Sequence, residues 1–253
     1  MVRSWLSSAH SGTREVLGLA GLYGVYEAVR GLGGEDYRAA LAHTSDIVAL
    51  EQRLGVYVEQ AVQQSVAGIA GVPALLGAAY MLMHFVGTAT LVVWAHRRRP
   101  EAYPLLRTTL ITTTALALVG YVVFPAAPPR LAGLGFDDTV TSATGLNLSS
   151  DLLGGLYNPI AAVPSLHFGY ALIVGAALMA LAGRRSLRIV GALYPAAMLF
   201  VIVATGNHFL FDAAAGAFTV GIGWLVARRL LRDPGRDPRV AAPERVSQSV
   251  SLT

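Results

Sequence analysis

His208 and Asp212 stand four residues apart, which places them one turn from each other on a single helix face. A carboxylate so placed can accept the Nδ1 proton of the imidazole, fixing the tautomer and leaving Nε2 free to attack or to take a proton. A second histidine, His167, closes the run Pro164-Ser165-Leu166-His167 and offers a proton donor two residues from a hydroxyl. Arg130 ends the Pro-rich run Phe124-Pro125-Ala126-Ala127-Pro128-Pro129-Arg130 and brings a planar cation suited to oxyanions. Singly, each has a plainer role: His208 and Asp212 satisfy one another in a bundle, His167 is an interfacial histidine, Ser165 is a helix cap. What raises them above that is where the chain must put them.

The 253 residues are 54% hydrophobic and 13% charged, about half the charged share of a soluble domain. Five apolar stretches, residues 72–95, 105–124, 165–182, 187–204 and 210–226, approach the ~20 helical residues that cross a bilayer. A shorter one, 16–29, carries Glu27 and is read as a first span rather than a cleaved signal. The expected fold is an all-α polytopic membrane helix bundle of about six transmembrane helices, one domain over 1–232 followed by a disordered cytoplasmic tail at 233–253. Arginine orients it: Arg3 and Arg14, Arg97 to Arg99 with Arg107, Arg184, Arg185 and Arg188, and the run from Arg228 onward alternate with the spans. Basic residues near span ends stay inside, so both termini are expected in the cytoplasm.

Drawn this way, Arg130, the Ser165 to His167 run, and Asn207, His208 and Asp212 all fall on the outer side. The fourth and sixth spans enter the membrane there, so two helix N-termini and Arg130 make an expected anion site. Between 46 and 66, Ile47, Leu50, Leu54, Val58 and Val62 recur at helical spacing against Glu51, Glu59, Gln60 and Gln63, which predicts an interfacial amphipathic helix roofing the site. The loop over 125–164 is rich in Gly, Pro, Ser and Asp and too polar to span.

There is no Cys, which excludes disulfides, thiolate nucleophiles and Cys-ligated zinc, and no Lys. The arginine runs abut span ends without interleaved aromatics, so they orient the protein and do not bind nucleic acid. His10, His43, His84 and His96 have no acidic partner at matching spacing and receive no role. Thr108, Thr109, Thr112, Thr113 and Thr114 are expected to bond back to helix carbonyls.

Pro164-Ser165-Leu166-His167, followed about forty residues later by His208 and Asp212, resembles the second and third signature motifs of the type 2 phosphatidic acid phosphatase superfamily. Leu166 in place of Gly, and the Pro-rich run before Arg130, look most like its inositol phosphorylceramide synthase branch. The resemblance covers residues from about 75 to 225. It implies that His208 is the nucleophile, Asp212 its orienting partner and His167 the acid on the leaving oxygen. It implies also that Ser165, the Leu166 amide and Arg130 hold phosphate oxygens, without metal or other cofactor. The chain departs from the family where a Lys is expected seven residues before Arg130, now Val123, and where an Arg is expected six before His208, now Ile202. Asn207 or Thr205 is the expected compensation.

The leading expectation is therefore a membrane lipid phosphatase working at the outer face on a lipid phosphate or diphosphate through a phospho-histidine. The alternatives are a transferase passing a phospho-headgroup, such as inositol phosphate, to a lipid or polyol hydroxyl, and a proton-coupled transporter using the histidines as a path. Separation of the five residues by more than about 15 Å would favour the transporter, for which internal repeats or broken helices would also speak.

Overall fold

The structure is a computed structural model that describes residues 36–139 and 160–232, together with Gly18, Gly21, Gly24 and Thr141. Seven helices follow in order: α1 (Tyr37–Leu54), α2 (Glu59–Ala67), α3 (Val72–Arg98), α4 (Tyr103–Val123), α5 (Leu166–Leu181), α6 (Arg185–Ala204) and α7 (Leu210–Leu231). Among the described residues there is no strand, and the chain is an all-α membrane bundle. Four helices, α3, α4, α6 and α7, are long and apolar enough to cross a membrane. The expected first span, 16–29, lies outside the described residues save for its three glycines, and the tail at 233–253 lies outside them from residue 233 onward.

Local chemistry sets the boundaries. Asp36 caps α1 by accepting the Ala39 N–H at 2.9 Å. Gly55, at φ 70°, closes the helix in the left-handed conformation that lacks a Cβ penalty, and its N–H returns to Gln52. This is a correction to the single amphipathic helix expected over 46–66: Gly55 divides it into α1 and α2. The expected faces are also only partly kept: Ile47 is buried and Val62 packs on the core, but the other apolar positions and the acids exchange sides. Leu50, Leu54 and Val58 are 40%, 66% and 42% exposed, whereas Glu51, Glu59 and Gln63 are buried. Apolar side chains gain nothing by hiding from lipid, so a helix at a membrane turns its polar residues to the protein.

The spans pack through small residues. A Cβ on Gly175 of α5 would lie 2.5 Å from the Gly191 carbonyl of α6 and 2.9 Å from the Pro195 ring, so these two helices meet backbone to backbone. Between α4 and α7, Thr112 donates to the Gly223 carbonyl at 2.9 Å as well as to its own Thr108 at 2.8 Å. Thr109 and Thr114 bond back to Leu105 and Leu110, and Thr114 also reaches the Tyr170 hydroxyl; the expectation fails at Thr108 and Thr113, whose Oγ1 atoms are buried without a partner among the described residues. Large apolar residues such as Leu75, Val123, Leu193 and Phe218 stand mostly exposed, the outside-apolar pattern of a bundle solvated by lipid.

Helix α5 has 16 residues, a rise of roughly 24 Å, less than the ~30 Å of hydrocarbon. At its far end Arg99 donates from Nε and Nη2 to the Leu181 carbonyl at 3.0 and 2.9 Å. The basic cluster of Arg97 to Arg99 is thereby fixed at the end of α5 opposite Ser165 and His167.

Candidate active site

The segment before α5 is held before the helix begins. Ala126 donates to Ile160 at 2.9 Å and Ala162 donates to Ala126 at 3.1 Å, a two-bond bridge that ties the Pro-rich run to the approach of α5. Ser165 is then the N-cap, its Oγ accepting the Phe168 N–H at 3.3 Å while its own N–H donates to the Asp212 carbonyl at 3.0 Å. Pro164 precedes the cap. The N–H groups of Leu166 and His167 have no partner among the described residues, so two donors of this turn stay unspent.

Helix α7 begins differently. Asp212 Oδ2 accepts the Phe209 N–H at 3.0 Å, Glu59 Oε1 accepts the Leu210 N–H at 2.9 Å, and Glu51 Oε1 accepts the Phe211 N–H at 2.7 Å. The N–H groups of Asn207 and His208 both go to the Ile202 carbonyl. Sequence reasoning expected this turn to bind an anion; the N–H groups of Phe209, Leu210 and Phe211 are taken by the protein's own carboxyl groups, whereas at α5 those of Leu166 and His167 stay open. Asp212 Oδ2 also lies 3.2 Å from His208 Nδ1, the geometry that directs Nε2 away from the carboxylate. Asp212 is fully buried and His208 5% exposed.

His167 packs beside this pair, its ring centroid 5.6 Å from that of His208, and its Nε2 is buried without a partner among the described residues. Tyr80 stacks on it at 4.0 Å, and His84 lies against it at 4.1 Å. His84, to which the sequence assigned nothing, reaches this position on a π-helical turn, Met83–Gly87, that rotates part of α3 relative to regular winding. The available signal was an ionisable residue inside an apolar span.

Arg130 approaches from the loop, 7% exposed. Its backbone N–H donates to Gly206 at 2.9 Å, its Nε donates to Asn207 Oδ1 at 2.9 Å, and its Nη1 lies 3.2 Å from Asp138 Oδ2. Asn207, expected to touch phosphate, spends its amide on aiming Arg130 and on Thr205, whose hydroxyl and carbonyl accept from Nδ2 at 2.9 and 3.3 Å. Gly206 sits where these segments cross. It has φ +65°, and a Cβ there would lie 2.8 Å from Gln63 Nε2 and 3.5 Å from the Phe136 ring.

Arg130, Ser165, His167, His208 and Asp212 are thus joined by direct contacts or through one intervening residue. Over residues 45–226 the sequence matches the PAP2 superfamily, a span that includes all five. The chain belongs to that superfamily. No curated protein and no solved structure matches it. Membership supports an activity of the phosphatase or phosphotransferase type. Neither departure from the PAP2 motifs is repaired at its own position: Val123 is 73% exposed at the end of α4, and Ile202 is fully buried in the apolar core. Glu51 and Glu59 were missed as site residues because their spacing reads as the wet face of an interfacial helix. Among the described residues, no group of three or more His, Cys, Asp and Glu is disposed to hold a metal ion.

Proposed function

We propose that this PAP2 protein is an integral membrane enzyme that cleaves a lipid phosphate or diphosphate at the extracytoplasmic face, with His208 as nucleophile. The observation that carries the reading is the pairing of His208 Nδ1 with Asp212 beside a second imidazole, His167, whose Nε2 has no partner among the described residues. A phosphate seated on the Leu166 and His167 N–H groups and on Arg130 would have its phosphorus presented to His208 Nε2. Attack forms an N–P bond and breaks the P–O bond of the substrate, while His167 gives its proton to the departing oxygen. Water then attacks phosphorus, the N–P bond breaks, and His167 recovers a proton from that water. Positioned donors stabilise the charge that spreads over the transferred group. Ser165 retains a hydroxyl proton to donate after capping α5. Asn207 serves by holding the guanidinium of Arg130 in plane.

The Leu166 substitution and the Pro-rich run support the second reading, in which an alcohol takes the place of water and a phospho-headgroup is passed on. The arginine at the Leu181 end of α5, opposite the histidines, supports placing the site outside and both termini within the cytoplasm. The test is single turnover of ³²P-labelled lipid phosphate and lipid diphosphate, with and without inositol or glycerol. An acid-labile, base-stable phosphoprotein that disappears in His208→Ala is expected; the same labelled protein in His208→Ala refutes the mechanism.

A further inference from the structure

Two carboxyl groups from outside the span bundle meet the helix that carries His208. Glu51 belongs to the last turn of α1 and Glu59 opens α2, yet both point inward, 2% and 0% exposed. Glu59 divides its oxygens between the Leu210 N–H of α7 and the Val58 N–H of its own turn, at 2.9 and 3.0 Å. Glu51 gives Oε1 to the Phe211 N–H at 2.7 Å, and its Oε2 is buried without a partner among the described residues. Burying carboxyl groups is costly. A cap residue at Phe209 would serve α7 as Ser165 serves α5, so the use of two acids from separate helices calls for another reason.

The same two helices also hold the arginine loop. Thr44 Oγ1 donates to the Ala127 carbonyl and accepts the Ala127 N–H, both at 3.0 Å. Gln63 brackets Asp137, donating to its carbonyl at 3.0 Å and accepting its N–H at 2.9 Å. One unit therefore grips the segment bearing Arg130 and the helix bearing His208.

We propose that Glu51 and Glu59 are positioning residues for His208, clamping the first turn of α7 to the outer helix pair so that the imidazole keeps its place relative to Arg130 and His167. The role rests on the phosphoryl-transfer reading of the site. The titratable groups facing the pair are Asp212, bonded to His208, on α7 and Tyr57 in the turn between α1 and α2. Burial, then the neighbouring charge of Glu59, pushes Glu51 up to about 8. Below that pH it holds its proton, and a second negative charge on the clamp appears only above it.

The experiment uses purified full-length protein in nanodiscs, with dioctanoyl phosphatidic acid and farnesyl diphosphate as probes. Glu51→Leu keeps the volume and loses the acceptor: kcat is expected to fall about tenfold with KM within about twofold. Glu51→Gln keeps the acceptor and lacks the titration: kcat at pH 7 stays within about twofold, and above pH 8 its activity is expected to fall less than that of wild type. Amide hydrogen exchange over 209–213 reads the clamp without turnover and should quicken about tenfold in Glu51→Leu but not in Glu51→Gln. Wild-type kcat with unchanged exchange in Glu51→Leu overturns the clamp, as does a Glu51→Gln protein that falls as far as Glu51→Leu. If Glu51→Leu does not accumulate, Glu51→Gln decides, and an alkaline profile in it identical to that of wild type overturns the proposal. Quickened exchange in Glu51→Leu, with no phosphate released by wild type from either probe, would sink the hydrolytic reading and leave the clamp standing.

Discussion

The first turns of α5 and α7 enter the bundle from the same side, and the chain treats them in opposite ways. At α5 the cap comes from the adjoining Ser165, and the Leu166 and His167 N–H groups stay open. At α7 the first three N–H groups are met by Asp212, Glu59 and Glu51, two of which come from helices far away in sequence. Both helices carry the same positive end of the dipole. The contrast bears on the proposed site: a helix N-terminus can serve as an anion site only where its donors are left unspent. Where they are taken, the same turn holds a side chain in place. In the proposed reading, one turn receives and the other aims.

The largest effect expected is at the aiming turn. His208→Ala should lower turnover by roughly 10⁴-fold or more and remove the labelled phosphoprotein, measured by single turnover. Asp212→Asn should lie between that and wild type, because the wrong tautomer is favoured while the site stays filled. Next comes the receiving turn. Leu166→Pro deletes one open N–H at a position where proline suits a helix start, after a Ser165 backbone already extended at ψ 108°. A loss of about 10²-fold in kcat/KM is expected. Leu210→Pro makes the matching deletion at α7, where it should cost thermal stability but leave inhibition by inorganic phosphate or vanadate within about threefold. Equal losses of phosphate affinity in the two proline variants would erase the contrast. Arg130→Lys follows, with about a tenfold loss in kcat/KM, since the lysine keeps the charge but not the planar fork that Asn207 and Asp138 hold.

The smallest effect concerns proton linkage. Glu51 is raised from 4.5 to about 8 on folding, so the folded protein holds a proton that the unfolded chain releases between those values. Stability from this group is complete below pH 4.5 and is lost as pH rises through about 8. Melting temperatures between pH 6 and pH 9 should therefore fall for wild type more than for Glu51→Gln. Parallel curves would show that folding does not raise the carboxyl into this range.

Much of this was legible in the sequence. Apolar length gave four of the expected spans, α3, α4, α6 and α7, because lipid imposes a composition on a helix whatever its neighbours. The spacing of His208 and Asp212 gave their contact, because one helical turn is local geometry. Glu51 and Glu59 were not legible, since a polar stripe on an interfacial helix looks the same whether it faces water or a neighbouring helix. His84 was hidden by a π-helical turn that no periodicity reports. Asn207 was read as a ligand group and is used on Arg130, a choice fixed by a contact 77 residues away in sequence.

Gly206 carries a consequence for how such a chain can change over generations. The turn between α6 and α7, the loop after Arg130 and the inner face of α2 cross at a residue with no side chain and a left-handed backbone. Any replacement both strains that backbone and presses on Gln63. An alanine there would push the Gln63 amide from its place on Asp137 and leave the dihedral strain, which no substitution at 63 relieves. Descendants of this sequence can drift at its lipid-facing positions while this crossing point holds them to one lineage of solutions.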